Sequence, residues 1–131
     1  MIDPDPRQLV RGMWEAFEAH DWDGARALLA DDAVVEWPHS GERFTSAASF
    51  IEMNRRHPAP NWHIVVKRIV AEGDTVVSEV WVPTDAQPAF VTSFFAFADG
   101  KITRITEYWL DCEPEAAQWC EGLRELYDPE R

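Results

Sequence analysis

The stretch FFAFADGKITRITEYWLD, residues 94–111, predicts the hairpin around which the fold is built. Its two halves are rich in aromatic and β-branched residues, and Asp99-Gly100 between them is a turn sequence that joins antiparallel strands. Because successive side chains of a strand point to opposite faces, one face of the second strand carries Ile105, Glu107, Trp109 and Asp111. Two acids and a tryptophan on a face that should meet a core indicate the floor of a pocket.

The rest of the chain supplies further strands and several helices. Alternating patterns predict a meander of four antiparallel strands in the runs 62–74, 75–85, 89–100 and 101–111. Helical spacing predicts helices over residues 7–19, from Asp21 to near Asp31, and from Thr45 or Ser46 to about Arg56, with a short strand at 33–37. A closing helix should begin at Pro114 and include Leu123. This order predicts an α+β fold with helices packed on the concave face of a curved antiparallel sheet.

Length and charge exclude several classes of protein. The chain has 131 residues and a formal net charge of −12, which argues against nucleic acid or an anionic membrane as a partner. We expect one domain over residues 1–131, with its core at about 7–126. A signal peptide and a bilayer-spanning run are not evident, so a cytoplasmic protein is expected. Two cysteines and four scattered histidines predict no disulfide, metal site or other cofactor.

The register of the predicted sheet brings two glutamates to one face. A turn that pairs Phe97 with Lys101 places Ser93 opposite Ile105, and a hairpin that pairs Thr84 with Pro88 places Glu79 beside Ser93. The predicted face then presents Glu79, Trp81, Ser93, Phe95, Glu107 and Trp109, with the two glutamates about 10 Å apart. The other face is also apolar, and this predicts a homodimer through the convex side of the sheet. Its contacts would be Val80, Val82, Phe94, Tyr108 and Leu110.

Two strings and the order of elements resemble the SnoaL-like branch of the nuclear transport factor 2-like superfamily, whose members are small cone-shaped α+β proteins. The strings are DWDGARALLADDAVVEWP at 21–38 and FFAFADGKITRITEYW at 94–109. The resemblance implies a pocket between the concave sheet face and the first and third helices. Together with the register, it gives the expected lining: Met13, Trp14, Phe17, Trp37, Phe50, Trp81, Ser93, Phe95, Ile105, Trp109 and Asp111.

Catalytic groups of this superfamily are missing at the matching positions. Steroid isomerases carry an aspartate before the proline of the first strand, and this chain has Trp37 there. Their oxyanion-hole tyrosine corresponds to Met13, and their oxyanion-hole acid corresponds to about Ser93. The acid–base residue of polyketide cyclases falls on Ile105. The resemblance therefore implies the fold and the place of a pocket, and it disfavours steroid isomerisation.

Glu107 is the strongest catalytic candidate, followed by Glu79. A carboxyl group among tryptophans loses solvation, and this favours general acid–base chemistry near neutral pH. The alternative for Glu107 is a structural hydrogen bond to a tryptophan or histidine, since a buried acid needs a partner. Asp111 is interpreted more readily as a cap of the closing helix than as a pocket residue.

The predicted function is binding of a small, largely apolar molecule, neutral or cationic, with tryptophans forming an aromatic cage for a cation. If the protein is an enzyme, it would be a cofactor-independent isomerase, dehydratase, cyclase or hydrolase. The alternative is a non-catalytic ligand-binding or protein-interaction domain. A purely scaffolding dimer would instead require the cavity to be filled by the chain's own side chains.

Overall fold

The computed structural model describes residues 4–112 and 118–129 and confirms the predicted α+β fold of the cone type. Within these residues three helices pack on one face of a six-stranded sheet. The helices are α1 (Pro6–Glu18), α2 (Trp22–Leu28) and α3 (Ala47–Arg55). The strands are β1 (Leu29–Trp37), β2 (Glu42–Phe44), β3 (Val65–Glu72), β4 (Thr75–Val82), β5 (Ala89–Ala98) and β6 (Lys101–Asp111).

Side-chain caps define where the helices begin. The carboxylate of Asp5 accepts a hydrogen bond from the Arg7 amide at 2.9 Å, and that of Asp21 accepts one from the Gly24 amide at 2.9 Å. The Ser46 hydroxyl caps α3 in the same way. The expectation that α2 continues to near Asp31 is wrong, because the chain turns into β1 at Leu29 and begins to pair with β6.

The sheet runs in the order β2-β1-β6-β5-β4-β3. The predicted meander is confirmed, since β3, β4, β5 and β6 pair as antiparallel neighbours. The sheet as a whole is mixed, because β1 pairs in parallel with β6 and aligns Val35 with Ile105. That parallel pairing matters for the site, since it carries the end of β1 to the middle of β6.

The β4–β5 register differs from the prediction by one residue. The hairpin is closed by Val82 and not by Thr84. Val82 pairs with Ala89 across a six-residue connection at 83–88. Glu79 consequently pairs with Thr92. A shift of one residue exchanges the two faces of a strand. Glu79 and Trp81 therefore lie on the sheet face opposite the helices, away from Glu107.

The β5–β6 register differs from the prediction by two residues, which preserves the faces. Ala98 pairs with Lys101 across a two-residue turn in which Asp99 and Gly100 have φ values of 52° and 73°. An irregularity in the pairing then sets Ser93 opposite Glu107. Both side chains consequently point toward the helices.

The core lies between the helices and the concave face of the sheet, where side chains fill the interior. Its largest fully buried members are Phe17, Phe50, Phe95, Met13, Ile102, Ile105 and Glu107. Val80 and Val82 also lie in this core, with exposed fractions of 0% and 2%. They were expected on the convex face, and the one-residue register shift explains the error.

The C-terminal part is described from residue 118 onward. The predicted start of the closing helix at Pro114 lies outside the described residues, and the described part contains only a short 3-10 turn, Gln118–Cys120. Trp119 and Leu123 are strongly exposed. Within the described ranges, the helices are all too short or too polar to cross a bilayer.

Candidate functional site

Glu107 is a carboxyl group buried at the centre of the sheet, with 1% of its surface exposed. Trp37 Nε1, at the end of β1, donates a hydrogen bond to Glu107 Oε1 at 3.0 Å. Ser93 Oγ, from the neighbouring strand β5, donates to Glu107 Oε2 at 3.1 Å. Three strands therefore meet at one acid, and each carboxyl oxygen has a partner.

Burial raises the pKa of Glu107 above the ordinary value of a glutamate. An ionised carboxylate loses its hydration in this apolar interior, and the neutral acid loses much less. Hydrogen bonds from Trp37 and Ser93 and the nearby indole of Trp109 oppose this effect without cancelling it. The site therefore retains a protonated carboxyl group at a higher pH than a solvent-exposed glutamate would.

Trp109 lies two residues further along the same face of β6. Its indole packs against Trp37 with ring centroids 6.2 Å apart and against His57 with centroids 5.8 Å apart. Its Nε1 is near enough to Glu107 to lower the pKa of that acid, yet it is buried without forming a hydrogen bond. A buried donor without an acceptor costs free energy, so the packing of the ring against Trp37 and His57 has to offset that cost.

An open pocket of about 350 Å³ lies on the other side of Trp109. It is formed by the loop after α3, the β4–β5 connection and the end of β6. Its lining residues are His57, Pro58, Ala59, Pro60, Val82, Thr84, Ala86, Gln87, Ala89, Trp109 and Asp111. Such a cavity, mainly apolar with a few polar groups, has the character of a small-molecule site.

Two titratable side chains give this pocket its polarity. Partial burial lowers the pKa of His57, and the Ala59 amide donates to His57 Nδ1 at 3.2 Å. The neutral ring therefore carries its proton on Nε2. Asp111, at the exposed end of β6, adds a carboxylate. His57 can thus offer a hydrogen-bond donor to a ligand, Asp111 a negative charge and Trp109 an indole ring, beside the polar side chains of Thr84 and Gln87.

Sequence comparison gives the family of this chain. A family model for the SnoaL-like domain matches residues 10–105, which include α1 from Val10 onward, the sheet up to the middle of β6, and both Trp37 and Ser93. The chain belongs to the SnoaL-like domain family. No curated protein matches the sequence.

Solved structures show the same fold for this SnoaL-like domain. A candidate ketosteroid isomerase from Kribbella flavida matches with a TM-score of 0.81 and 28% identity, covering 95% of this chain and 90% of that one. A nuclear transport factor 2-like protein of unknown function from Burkholderia xenovorans matches with 0.77 and 28%, covering 93% and 94%. A candidate polyketide cyclase from Xanthomonas campestris matches with 0.62 and 27%, covering 77% and 87%. The names differ in activity, so the family supports a pocket protein without selecting a reaction.

The SnoaL-like domain brings only part of the predicted lining to the open pocket. Trp109 and Asp111 border it, and Trp37 and Ser93 bond the acid behind Trp109. Met13, Phe17, Phe50, Phe95 and Ile105 are packed core residues. Trp14 is also buried, and its Nε1 donates to Ser78 Oγ at 3.1 Å. The described core therefore occupies the space between sheet and helices in which a cavity was expected.

Glu79 and Trp81 lie apart from the site. Glu79 forms an ion pair with Arg68 at 3.1 Å on the opposite sheet face, and Trp81 packs against Phe90 there with ring centroids 4.6 Å apart. The expected pair of glutamates on one face is thus wrong. Glu107 faces its hydrogen-bond donors without a second acid beside it in the contacts described.

Sequence reasoning missed most of the pocket wall. His57 was expected near the mouth of the pocket, but the prolines after it were expected only to end the third helix, and the β4–β5 connection only to separate two strands. Proline restricts the backbone, so the two prolines that follow His57 within three residues indicate a loop of restricted conformation. These prolines were the sequence signal for this part of the pocket wall. Within the described residues, no cluster of three His, Cys, Asp or Glu side chains could hold a metal ion.

Proposed function

We propose that this protein binds a small, largely apolar molecule in the pocket beside Trp109. The observation that carries the proposal is the 350 Å³ cavity, in which apolar walls surround a few polar groups next to an exposed carboxylate. The volume is at the lower end for ligand sites, which favours a compact molecule. The buried Glu107 behind Trp109 is a second polar group that such a site could use.

The charges around the pocket favour a ligand with a positive charge. Asp111 provides a carboxylate, and His57 adds no positive charge because its pKa is lowered. The indole of Trp109 can accept a cation over its face. The net charge of −12 would also draw cations toward the protein. We therefore infer that a small hydrophobic amine is the best candidate class.

Replacing Asp111 with asparagine tests this preference. We expect Asp111→Asn to weaken binding of a hydrophobic amine by roughly twofold to fivefold, since a partly exposed ion pair contributes up to about 1 kcal/mol. Affinity for a neutral molecule of the same shape should not change. The measurement is quenching of tryptophan fluorescence in a titration with matched amine and neutral probes.

Asp99→Asn is the matched control. Asp99 is an exposed acid in the β5–β6 turn, at the opposite end of β6 from Asp111, and its loss changes the net charge equally. Equal weakening in both variants would assign the effect to overall charge and contradict a local role of Asp111. Equal affinity of the unaltered protein for the amine and the neutral probe would contradict the cationic preference.

Acid–base catalysis by Glu107 is the second candidate function, as in an isomerase, dehydratase, cyclase or hydrolase. The raised pKa of Glu107 supports it, because a carboxyl that keeps its proton to a higher pH than an exposed glutamate can serve as a general acid there. Such chemistry requires a ligand to reach the acid past Trp109, whose N–H has no acceptor among the described residues. This acid–base chemistry would use protein groups only.

The Glu107→Gln variant decides between binding alone and catalysis. A probe that binds both proteins equally and is converted by neither supports a binding protein. A probe that is converted by the unaltered protein and only bound by the variant supports catalysis at Glu107. The experiment uses binding by fluorescence and product detection by chromatography on the same samples.

A further inference from the structure

Four polar side chains lie among the apolar walls of the pocket beside Trp109. They are His57, Thr84, Gln87 and Asp111. A side chain that already donates or accepts within the chain presents its remaining hydrogen-bonding capacity to a ligand. The hydrogen bonds inside the protein therefore determine which groups a ligand must carry.

Two of these side chains keep a proton to donate. His57 Nδ1 accepts a hydrogen bond from the Ala59 amide at 3.2 Å, so the neutral ring offers its Nε2–H to the pocket. Thr84 Oγ1 accepts from the Ala86 amide at 3.0 Å, and its hydroxyl proton remains for a second partner. His57 and Thr84 together are here called the donor side of the pocket.

The other two side chains present acceptors. Gln87 Nε2 donates a hydrogen bond to the Cys112 carbonyl at 2.8 Å, and this leaves the amide oxygen of Gln87 as an acceptor. The exposed carboxylate of Asp111 adds a negative charge one residue before Cys112. Gln87 and Asp111 are here called the acceptor side, and both lie near the start of β5 and the end of β6.

The donor side and the acceptor side are separated across the pocket floor. Val82, Ala89 and Asp111 form one row across β4, β5 and β6. Because β4 and β6 are about 10 Å apart across β5, Thr84, which follows Val82 by two residues, lies on the side away from Asp111. Burial lowers the pKa of His57 and the Asp111 carboxylate does not raise it, which indicates that the ring and the carboxylate are not adjacent.

A ligand whose only polar group is an amine leaves the donor side unpaired. Binding removes the water that hydrates His57 Nε2–H and the Thr84 hydroxyl, and a donor that loses water without gaining an acceptor costs free energy. A site with fixed donors therefore discriminates against a ligand that lacks an acceptor. A carbonyl oxygen has two lone pairs and can accept from both donors.

We propose that the pocket takes a compact molecule with two polar ends, an amine cation that faces Asp111 and a carbonyl oxygen that faces His57 and Thr84. This inference rests on the proposed binding function and narrows its ligand class from hydrophobic amines to amino amides, amino esters and amino ketones. The apolar middle of the molecule packs against Trp109, and a volume of about 350 Å³ leaves room for one small ring. Gln87 adds a second acceptor for an N–H of the amine.

Three small probes of similar shape test the two ends separately. Isonipecotamide is a six-membered ring that carries both an amine and a carboxamide. Cyclohexanecarboxamide lacks the amine, and the isopropyl analogue of isonipecotamide lacks the carbonyl. Binding is measured by NMR titration of the indole N–H signals, and the signal of Trp109 is identified by its loss in Trp109→Phe. Each variant is compared with the unaltered protein for the same probe, so that differences in hydrophobicity between probes cancel.

His57→Phe keeps an aromatic ring against Trp109 and removes the donor. We expect it to weaken binding of both carboxamides by about twofold to tenfold, the contribution of one hydrogen bond, and not to weaken binding of the isopropyl analogue. Asp111→Asn should weaken binding of the two amines and spare cyclohexanecarboxamide. His57→Gln, which restores an N–H near the position of Nε2, should recover part of the loss. His39→Phe, at an exposed histidine outside the pocket, is the matched control and should change no affinity.

The outcomes separate this inference from the proposed function. Equal effects of His57→Phe on isonipecotamide and its isopropyl analogue would overturn the carbonyl end, while a selective effect of Asp111→Asn on the amines would still support amine binding. A protein that binds none of the three probes at millimolar concentration would contradict the proposed function as well. The dispersion of the NMR spectrum shows whether each variant is folded. If His57→Phe is unfolded, Thr84→Val removes the other donor, and the same selective loss for the carboxamides is expected.

Discussion

Replacing Glu107 with glutamine is expected to raise the free energy of unfolding at pH 8 while leaving it nearly unchanged at pH 4. Burial raises the pKa of Glu107 in the folded protein above its value of about 4.5 in the unfolded chain. Between these two pKa values the folded state holds a proton that the unfolded state has lost. The stability of the unaltered protein therefore falls by up to about 1.4 kcal/mol per pH unit in that window.

Glutamine removes this penalty because its amide does not ionise. It has nearly the shape of a protonated glutamate, its carbonyl can accept from Trp37 Nε1, and its amide can donate to Ser93 Oγ. The difference in stability between variant and unaltered protein should grow as pH rises from about 4.5 and become constant above the folded pKa of Glu107. Urea unfolding at a series of pH values measures it.

The other acids do not obscure this result. Arginine partners lower the pKa of Glu52 to about 2, so its contribution to stability is lost as pH falls, opposite in sign to that of Glu107. Such contributions are common to both proteins and cancel in the difference. Glu79→Gln, a change at an exposed ion pair on the other sheet face, is the matched control and should shift stability by no more than about 0.5 kcal/mol. Parallel pH profiles for Glu107→Gln and the unaltered protein would show that Glu107 is not a buried acid of raised pKa.

The sequence predicts the meander and the direction of the Glu107 side chain, because both follow from short-range patterns. The Asp99-Gly100 turn and the alternation of β6 place Glu107 and Trp109 on the face toward the helices, even with a register error of two residues. The β4–β5 connection contains no such short turn signal. An error of one residue there was enough to assign Glu79 and Val80 to the wrong faces.

The open pocket could not be predicted because it depends on how far the core side chains fill the interior. Met13, Phe17 and Phe50 have the right positions to line a cavity, and in the folded chain they close it. Packing of this kind depends on rotamers and on helix placement to within a methyl group. The hydrogen bond from Trp37 to Glu107 could not be predicted either. Trp37 reaches Glu107 only because β1 pairs in parallel with β6, and the two residues are 70 positions apart in the sequence.

Replacing Trp37 with phenylalanine should lower the free energy of unfolding by about 1 to 3 kcal/mol, and more at pH 8 than at pH 5. The variant keeps an aromatic ring against Phe44 and Trp109 but removes the N–H that donates to Glu107 Oε1 at 3.0 Å. That N–H stabilises the ionised acid, so its loss raises the pKa of Glu107 further. The free energy of unfolding then decreases with pH over a wider range that reaches to higher pH.

The Glu107→Gln background isolates the cause of the pH dependence. In that background Trp37→Phe should cost the same free energy at pH 5 and pH 8, because residue 107 no longer titrates. Trp14→Phe is a matched truncation of a buried indole whose N–H donates to a group that does not titrate, Ser78 Oγ at 3.1 Å, and its effect should likewise not vary with pH. If Trp37→Phe showed the same pH independence as Trp14→Phe with Glu107 in place, the Trp37 N–H would not stabilise the ionised acid, and the acid would be held in its site by Ser93 and burial alone.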